Sequence, residues 1–178
     1  ADYAMGVLEK IVEAGKQYNL TPYGTETMHV LRAEKGFIIV GQDTDGSMTP
    51  DDLNMGWCVG RTKPFSWIGW RGMNREDCVR DQRKQLVGLK PIDPTKWLPE
   101  GAQLVFNTKQ AIPMSMVGHV TSSYAHNSLG YSFAMGVVKG GLNRMGERVF
   151  APLADGSVIE AEIVSSVFFD PKGERQNI

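Results

Sequence analysis

The amino-acid sequence predicts an α+β fold that is mostly β, in which short helices and strands are followed by a small antiparallel β-barrel. The main observation is a series of about six short apolar segments after residue 84, separated by turn signals such as Gly140-Gly141 and Asp155-Gly156, a spacing typical of small barrels. A second observation is that the helical patterns all lie before residue 84. We therefore predict a helical and short-strand domain over residues 1–83 and a barrel domain over residues 84–178.

Residues 2–14 have the apolar spacing of an amphipathic helix that stops at Gly15. One face carries Val7, Leu8, Ile11 and Val12. Because nothing precedes this helix for that face to pack against, we expect the chain to be a segment of a longer protein. We also expect the isolated chain to cover the face by self-association, or to leave the helix mobile.

A second helix is predicted after the loop that contains Pro22 and Gly24. Thr25 or Thr27 is expected to cap its first turn by accepting a backbone hydrogen bond. Gly36 is expected to end the helix with a residue in the left-handed conformation.

Four shorter segments follow. The apolar run at residues 37–40 indicates a buried strand, and residues 43–47 have the composition of a turn. Residues 49–52 (TPDD) indicate another helix start, with proline at the first helical position and acids near the positive end of the helix dipole. Residues 56–60 (GWCVG) indicate a further short strand.

Two stretches before the barrel leave alternatives open. Residues 64–72 are rich in aromatic side chains, which suits a packed or subunit-facing corner, or a stacking platform for a flat ligand. Residues 74–85 mix basic and acidic side chains, and this favours a solvated helix face over a phosphate or nucleic-acid site.

Six strands are predicted in the barrel domain. They cover residues 86–89, 103–106, 117–123, 132–138, 147–151 and 157–164.

The composition argues against a nucleic-acid or membrane-surface role, because 19 Lys and Arg residues face 20 Asp and Glu residues. No apolar run approaches the ~20 residues that a bilayer span needs. Residues 1–15 lack the uninterrupted apolar core of a signal peptide. Cys58 and Cys78 have no neighbouring ligand cluster, so we expect two reduced, buried thiols and a cytoplasmic location.

No pattern indicates a metal site or a nucleophile. His29, His119 and His126 are not at metal-ligand spacing, and no acid or cysteine stands at the customary offset. The chain also lacks a glycine-rich phosphate loop and a nucleophile elbow. We therefore expect no catalytic residue, no metal and no flavin in this segment.

Glu34 attracts attention because a carboxylate within a buried helix must be paired or hydrogen-bonded. Its candidate partners are Arg32 and a ring nitrogen of a pterin, and a structural brace is the simpler role. Residues 121–128 form a polar stretch that we expect to line a ligand cavity, since loops carry binding groups on a rigid barrel.

Four blocks of residues resemble the aminomethyltransferase superfamily, whose founding member is the T-protein of the glycine cleavage system. The blocks are residues 31–36 (LRAEKG), 41–43 (GQD), 49–50 (TP) and 54–57 (NMGW). Their order and spacing make the signal specific, and the resemblance covers essentially the whole chain. Residues 23–32 (YGTETMHVLR) and 167–171 (VFFDP) are similar to one branch, the alpha subunits of heterotetrameric sarcosine oxidases.

For that branch the resemblance implies oxidative demethylation of sarcosine at a flavin in a partner subunit. Tetrahydrofolate in the alpha subunit then captures the one-carbon unit to give 5,10-methylenetetrahydrofolate. Flavin and NAD would belong to other parts of the complex. The partners would be the beta, gamma and delta subunits and the amino-terminal part of the alpha subunit. This segment would form one wall of the folate chamber and would be inactive alone.

If the segment forms part of such a folate site, we expect the folate to contact Glu34, Arg32, Tyr23, Ser123 and Arg175. Two positions depart from the T-protein branch, because Met28-His29 replace an Arg-Asp pair and Asp170 stands where T-proteins can present an arginine. The family's catalytic aspartate and its pterin-gripping glutamate lie in the amino-terminal region, outside these residues.

Three other readings stay open at this point. A free-standing aminomethyltransferase of the glycine cleavage type is disfavoured by Met28-His29 and by Asp170-Pro171. The iron–sulfur and RNA-modification branch centres on Lys-Gly-Cys, whereas Phe37 follows Lys35-Gly36 here. A non-catalytic folate-binding or interaction module would require a binding measurement to distinguish it.

Overall fold

The α-helices lie before residue 84 and the strands follow from that residue onward. The computed structural model describes residues 2–125 and 127–177, so His126 lies outside the described residues. The α-helices are α1 (Ala4–Gly15), α2 (Thr25–Glu34), α3 (Trp70–Met73) and α4 (Glu76–Val79). The strands are β1 (Lys84–Pro91), β2 (Gln103–Leu104), β3 (Gly118–Tyr124), β4 (Phe133–Lys139), β5 (Arg148–Pro152) and β6 (Val158–Val164).

The six strands form one antiparallel sheet in the order β2-β3-β4-β1-β6-β5. The two edge strands approach each other where Val105 and Phe150 exchange backbone hydrogen bonds of 2.9 Å in both directions. The sheet is therefore a nearly closed barrel, and the predicted mostly β fold class is confirmed. Strand β2 is shorter than predicted, since Val105 forms only this isolated bridge.

Both faces of the central strands are buried. Alternate residues of β1 and β4, such as Val87 and Val138, fill the barrel interior, whereas Leu86 and Val137 belong to a second apolar cluster. That cluster also contains Ala33 of α2 and packs helix α2 against the outside of the barrel. Burial on both faces explains the continuous apolar sequence of these strands, which do not alternate with polar residues.

The two predicted helices are present, with one local difference. Helix α1 covers Ala4–Gly15, and α2 is followed by Gly36 at φ 77°, the left-handed conformation expected there. The predicted threonine cap of α2 is wrong. The N-cap residue is Gly24 in an extended conformation, and no side chain accepts a capping hydrogen bond.

The strand predicted at residues 37–40 is wrong. Asp43 folds this segment into a turn, because its carboxylate accepts the Ile39 N–H at 2.9 Å and its own N–H bonds to the Ile39 carbonyl. Phe37 and Val40 are exposed as a result. At residues 49–52 the cap forms without a helix: Thr49 and Asp52 exchange hydrogen bonds, and the chain continues as turns.

Three further expectations for the segment before the barrel need correction. Residues 56–60 contain a 3₁₀ turn (Gly56–Cys58) and no strand, since Val59 bonds back to the Gly56 carbonyl. Cys58 is exposed and Cys78 is half-buried, so the thiols are not both in the core. At residues 74–85 a solvated helix face was expected. The described structure has the four-residue α4 there, and Arg83 is buried and paired.

Helix α1 contributes nothing to either apolar cluster. None of its 12 residues is buried, and Val7, Leu8 and Ile11 are each about half exposed. Across residues 2–125 and 127–177, no helix combines the length and apolar character needed to cross a membrane.

Candidate functional site

A buried ion pair connects α2, the turn after it and strand β3. Arg32 of α2 donates to the carboxylate of Asp43, whose side chain is completely shielded from solvent. Asp43 accepts further hydrogen bonds from the hydroxyls of Thr121 and Ser122, the latter at 2.7 Å. Every carboxylate oxygen of Asp43 is thereby used within the protein, which a buried charge requires.

A β-bulge explains how two consecutive strand residues reach the same carboxylate. The register between β3 and β4 shifts between Val120 and Ser122, which leaves Thr121 as an extra residue. A bulge breaks the alternation of side chains along a strand. Thr121 and Ser122 can therefore both face Asp43.

Both terminal nitrogens of Arg32 donate hydrogen bonds to this cluster. One contacts Asp43 and the Phe37 carbonyl, and the other donates to Ser122 at 2.8 Å and to the Tyr124 hydroxyl at 3.1 Å. Burial raises the pKa of the Tyr124 phenol, although the bond from Arg32 opposes the shift. The phenol therefore stays protonated and can donate a hydrogen bond. The Nε atom of Arg32 is buried and has no hydrogen-bond partner among the described residues.

Glu34 acts as the brace that its burial required. Its carboxylate accepts the Ser128 N–H at 2.9 Å and the Ser128 hydroxyl at 2.8 Å. Arg32, one of the two candidate partners of Glu34, does not pair with it, because Arg32 binds Asp43. Glu34 therefore ties α2 to the loop after β3. The strand itself runs to Tyr124, so residues 121–124 belong to β3 and not to that loop.

The segment after β6 closes over the end of α2. The Glu34 carbonyl accepts the N–H groups of Phe168 at 2.9 Å and Phe169 at 2.8 Å. Lys35 binds the Asp170 carboxylate at 3.1 Å and also its backbone carbonyl. The carbonyl of Glu34, which has no partner within the helix, is thereby hydrogen-bonded.

A second buried pair joins the residue 47–52 turn to the start of the barrel. Arg83 donates to Asp52 from Nε at 2.9 Å and from Nη2 at 2.7 Å, and it also contacts Asp77. The hydrogen bond to Asp52 raises the pKa of Arg83 further. Neither Asp43 nor Asp52 was expected to pair with an arginine, because their partners are distant in sequence.

The structure does not gather all the predicted folate-contacting residues into one cluster. Arg32 bonds to the side chains of both neighbours of Ser123 in β3, so the Ser123 side chain projects from the opposite face of the strand. The Ser123 hydroxyl is buried and has no partner among the described residues. Tyr23 lies before α2 and is 69% exposed. Arg175 lies in a 3₁₀ turn (Glu174–Gln176), with its guanidinium 5.0 Å from the centre of the Phe169 ring.

Open clefts surround these elements. One of about 440 Å³ lies between the end of α2, the residue 53–57 turn and the segment after β6. Its lining includes Phe37, Ile38, Leu53, Met55, Trp57 and Val167. Trp57 is 83% exposed. A second cleft of about 400 Å³ runs along α1 between Val7 and Ile11.

The aromatic corner at residues 64–72 is exposed. Trp67 and Trp70 meet edge-to-face with ring centres 5.9 Å apart, and Phe65 and Ile68 project into solvent. No group of three or more His, Cys, Asp and Glu side chains suited to a metal ion occurs within residues 2–125 and 127–177.

Sequence comparisons match both parts of the chain to one family. Residues 1–63 match the model of the GCVT N-terminal domain, and residues 84–170 match the glycine cleavage T-protein C-terminal barrel domain.

The curated relatives are much longer than this chain. It is 46% identical to the sarcosine oxidase subunit alpha of Corynebacterium sp. (strain U-96), covering 98% of this chain and 18% of that protein. The corresponding subunit of Rhizobium meliloti (strain 1021) is 34% identical over 100% of this chain and 18% of its own length. The aminomethyltransferase of Bacillus subtilis (strain 168) is 25% identical over 95% of this chain and 44% of its own length.

A solved structure has the same fold. The glycine cleavage system aminomethyltransferase T from Bartonella henselae superposes with a TM-score of 0.75 at 24% identity, over 94% of this chain and 44% of that one.

Proposed function

Because the chain belongs to the aminomethyltransferase, or glycine cleavage T-protein, superfamily, we propose that it forms one wall of a tetrahydrofolate chamber in a sarcosine oxidase alpha subunit. The observation that carries the choice of branch is the 46% identity to such subunits, against 25% to an aminomethyltransferase. The parent enzyme would demethylate sarcosine oxidatively and pass the one-carbon unit to the folate. We also place this activity in the cytoplasm.

The proposed role of the wall is to hold the folate amine beside a reactive one-carbon product. Bound tetrahydrofolate supplies the nucleophilic amine that becomes 5,10-methylenetetrahydrofolate. Holding the reactants together replaces a bimolecular encounter, and a closed chamber limits hydrolysis of the product. The residues of this chain contribute position and shape, while the oxidation takes place elsewhere in the complex.

The predicted folate residues divide by their contacts into two proposed roles. Arg32 and Glu34 are committed to Asp43 and Ser128, so we assign them to positioning the wall. Tyr23 and Arg175 are exposed and are suited to meet an aromatic ring and a carboxylate of the ligand. The Ser123 hydroxyl and the Nε of Arg32, which have no partner within residues 2–125 and 127–177, are buried polar atoms that a ligand group or an ordered water can satisfy.

The apolar face of α1 supports a wall that other protein segments complete. A helix with no buried residue exposes surface that costs ~25 cal/mol per Å² relative to burial. We propose that amino-terminal parts of the alpha subunit cover this face. The beta, gamma and delta subunits are the further partners that we propose.

Folate titration tests the proposal. The exposed tryptophans report binding of 5-formyltetrahydrofolate, a stable folate, and NMR amide shifts locate it. We expect binding at least tenfold weaker than to an intact sarcosine oxidase alpha subunit, with shifts near Tyr23, Ser123 and Arg175. The variant Arg175→Gln should weaken binding, and Arg71→Gln, an exposed arginine of α3, is the matched control.

Two results would contradict this function. One is shifts confined to β5 and β6, away from α2 and β3. The other is affinity equal to that of the intact subunit, which would make this segment a complete binding domain. In the purified chain we further expect a visible spectrum without a flavin band, because the oxidation belongs to other parts of the complex.

A further inference from the structure

Two lysines lie side by side on neighbouring strands of the barrel. Lys84 of β1 and Lys139 of β4 are directly paired in antiparallel register. Directly paired residues project from the same face of a sheet, and like charges at such positions repel. The ion pairs found among residues 2–125 and 127–177 involve neither lysine.

A cleft of about 220 Å³ opens over this pair of lysines. The lysines and His119 of β3 line it together with Arg80 and Gln82 from the turn before β1. His119 also lines an adjoining cleft of about 190 Å³, so the ring lies where the two meet. The cleft therefore brings together hydrogen-bond donors from three strands and a turn.

The carboxylates near the cleft already accept hydrogen bonds from other residues of the protein. Arg80 pairs with Asp77, and Arg83 pairs with Asp52 and Asp77. The carboxylate of Asp45, which also lines the cleft, accepts the N–H of Ser47 at 2.8 Å and its hydroxyl at 2.6 Å. In the described part of the chain no carboxylate lies within ion-pair distance of Lys84 or Lys139, so the longer-range attraction between Lys84 and Asp45 offsets only part of their positive charge.

The pKa of His119 also reflects the positive charge in the cleft. Burial lowers the pKa of its imidazole, the positive charge of Lys84 lowers it further, and Asp45 opposes both effects. An anion held between the lysines would reverse the contribution from Lys84 and favour the protonated ring, which can then donate a hydrogen bond.

We propose that this cleft binds a small oxyanion, either phosphate or a phosphate or carboxylate group of a metabolite, between Lys84, Lys139 and His119. A bound oxyanion would offset the repulsion between the paired lysines and accept hydrogen bonds from Lys84, Lys139 and His119, whose side chains show no acceptor among the described residues. The site uses none of the residues assigned to the folate and does not depend on that assignment.

An anion titration followed by NMR tests this site. Inorganic phosphate, pyrophosphate and citrate are added to the chain at constant ionic strength, with chloride as the reference anion. We expect saturable shifts of the Lys84, His119 and Lys139 amides, and a rise in the pKa of His119. A stronger response to phosphate and pyrophosphate identifies a phosphate group, and a stronger response to citrate identifies a carboxylate.

The variants are chosen so that the fold is preserved. Lys139→Gln changes an exposed side chain, and the double variant Lys84→Gln/Lys139→Gln removes the pair. We expect the double variant to bind at least tenfold more weakly, while Lys109→Gln, an exposed lysine outside the cleft, leaves binding unchanged. Equal shifts with chloride, or wild-type affinity in a folded double variant, would overturn the proposal.

Discussion

At Asp43 a single carboxylate holds together a helix, a turn and a strand. It binds Arg32 of α2, the backbone of Ile39, and the hydroxyls of Thr121 and Ser122. The hydroxyl of Thr121 lies 78 positions along the chain from Asp43. Composition and spacing identified Asp43 as a turn residue but could not reveal a partner so distant in sequence.

Removing the charge of Asp43 should be far more costly than removing a neighbouring one. The variant Asp43→Asn leaves Arg32 buried without its counter-ion, and we expect a loss of about 3–5 kcal/mol in the free energy of unfolding. Asp45→Asn is the matched control, because Asp45 is exposed and bonds only locally to Ser47, so we expect a change of about 0.5 kcal/mol or less. Urea unfolding measures both, and equal losses would show that the pair contributes no more than a surface charge.

His119 should make the stability depend on pH. Burial and Lys84 lower its pKa in the folded state, so the unfolded chain binds more protons below the usual pKa of about 6.5. We therefore expect stability to be present above pH 6.5 and to fall as the pH drops toward the folded-state pKa. In His119→Gln this part of the pH dependence should be absent. Unfolding curves between about pH 5 and 8 measure the difference, and identical slopes in the two proteins would refute the assignment.

At the scale of elements, the sequence pattern predicted those features that depend on neighbouring residues. The six strands and Gly36 at the end of α2 follow from apolar spacing and from glycine's access to positive φ. The strand expected at residues 37–40 failed because the carboxylate of Asp43 takes the Ile39 N–H that a neighbouring strand would need. The site shows the same division, since the need for a partner at Glu34 was predictable but its identity, Ser128, was not.

Strand β3 tolerates no side chain at Gly118. This residue pairs with Leu104 of β2 and Val138 of β4, and an added Cβ would lie 2.0 Å from the Val137 carbonyl oxygen. We expect Gly118→Ala to cost about 3 kcal/mol, because two strands must separate to admit the methyl group. Gly72→Ala places the same methyl group in open space on α3 and should cost nothing. Thermal unfolding of both variants checks this, and similar melting temperatures would show that the barrel wall adjusts freely.

At the scale of the whole molecule, the barrel and α2 form the packed body, and α1 displays an apolar face. We expect the chain to self-associate through this face, with a concentration-dependent sedimentation coefficient. The variant Val7→Ser/Ile11→Ser should weaken association at least tenfold without loss of stability, because neither side chain is buried. Glu9→Gln, an exposed polar change on the same helix, is the control. Unchanged association in the double variant would place the contact elsewhere, with the aromatic corner at residues 64–72 as the next surface to test.

The contacts between α2 and the segment after β6 set an order of events during synthesis. Lys35 pairs with Asp170, which lies 135 positions later in the sequence. The Glu34 carbonyl accepts hydrogen bonds from the amides of Phe168 and Phe169. Helix α2 leaves the ribosome long before these residues are made. At 5–20 residues per second, its last turn stays without these partners for roughly 7–27 seconds. During that interval the helix can pack only against residues made earlier, and the contacts that close its end are among the last of the fold to form.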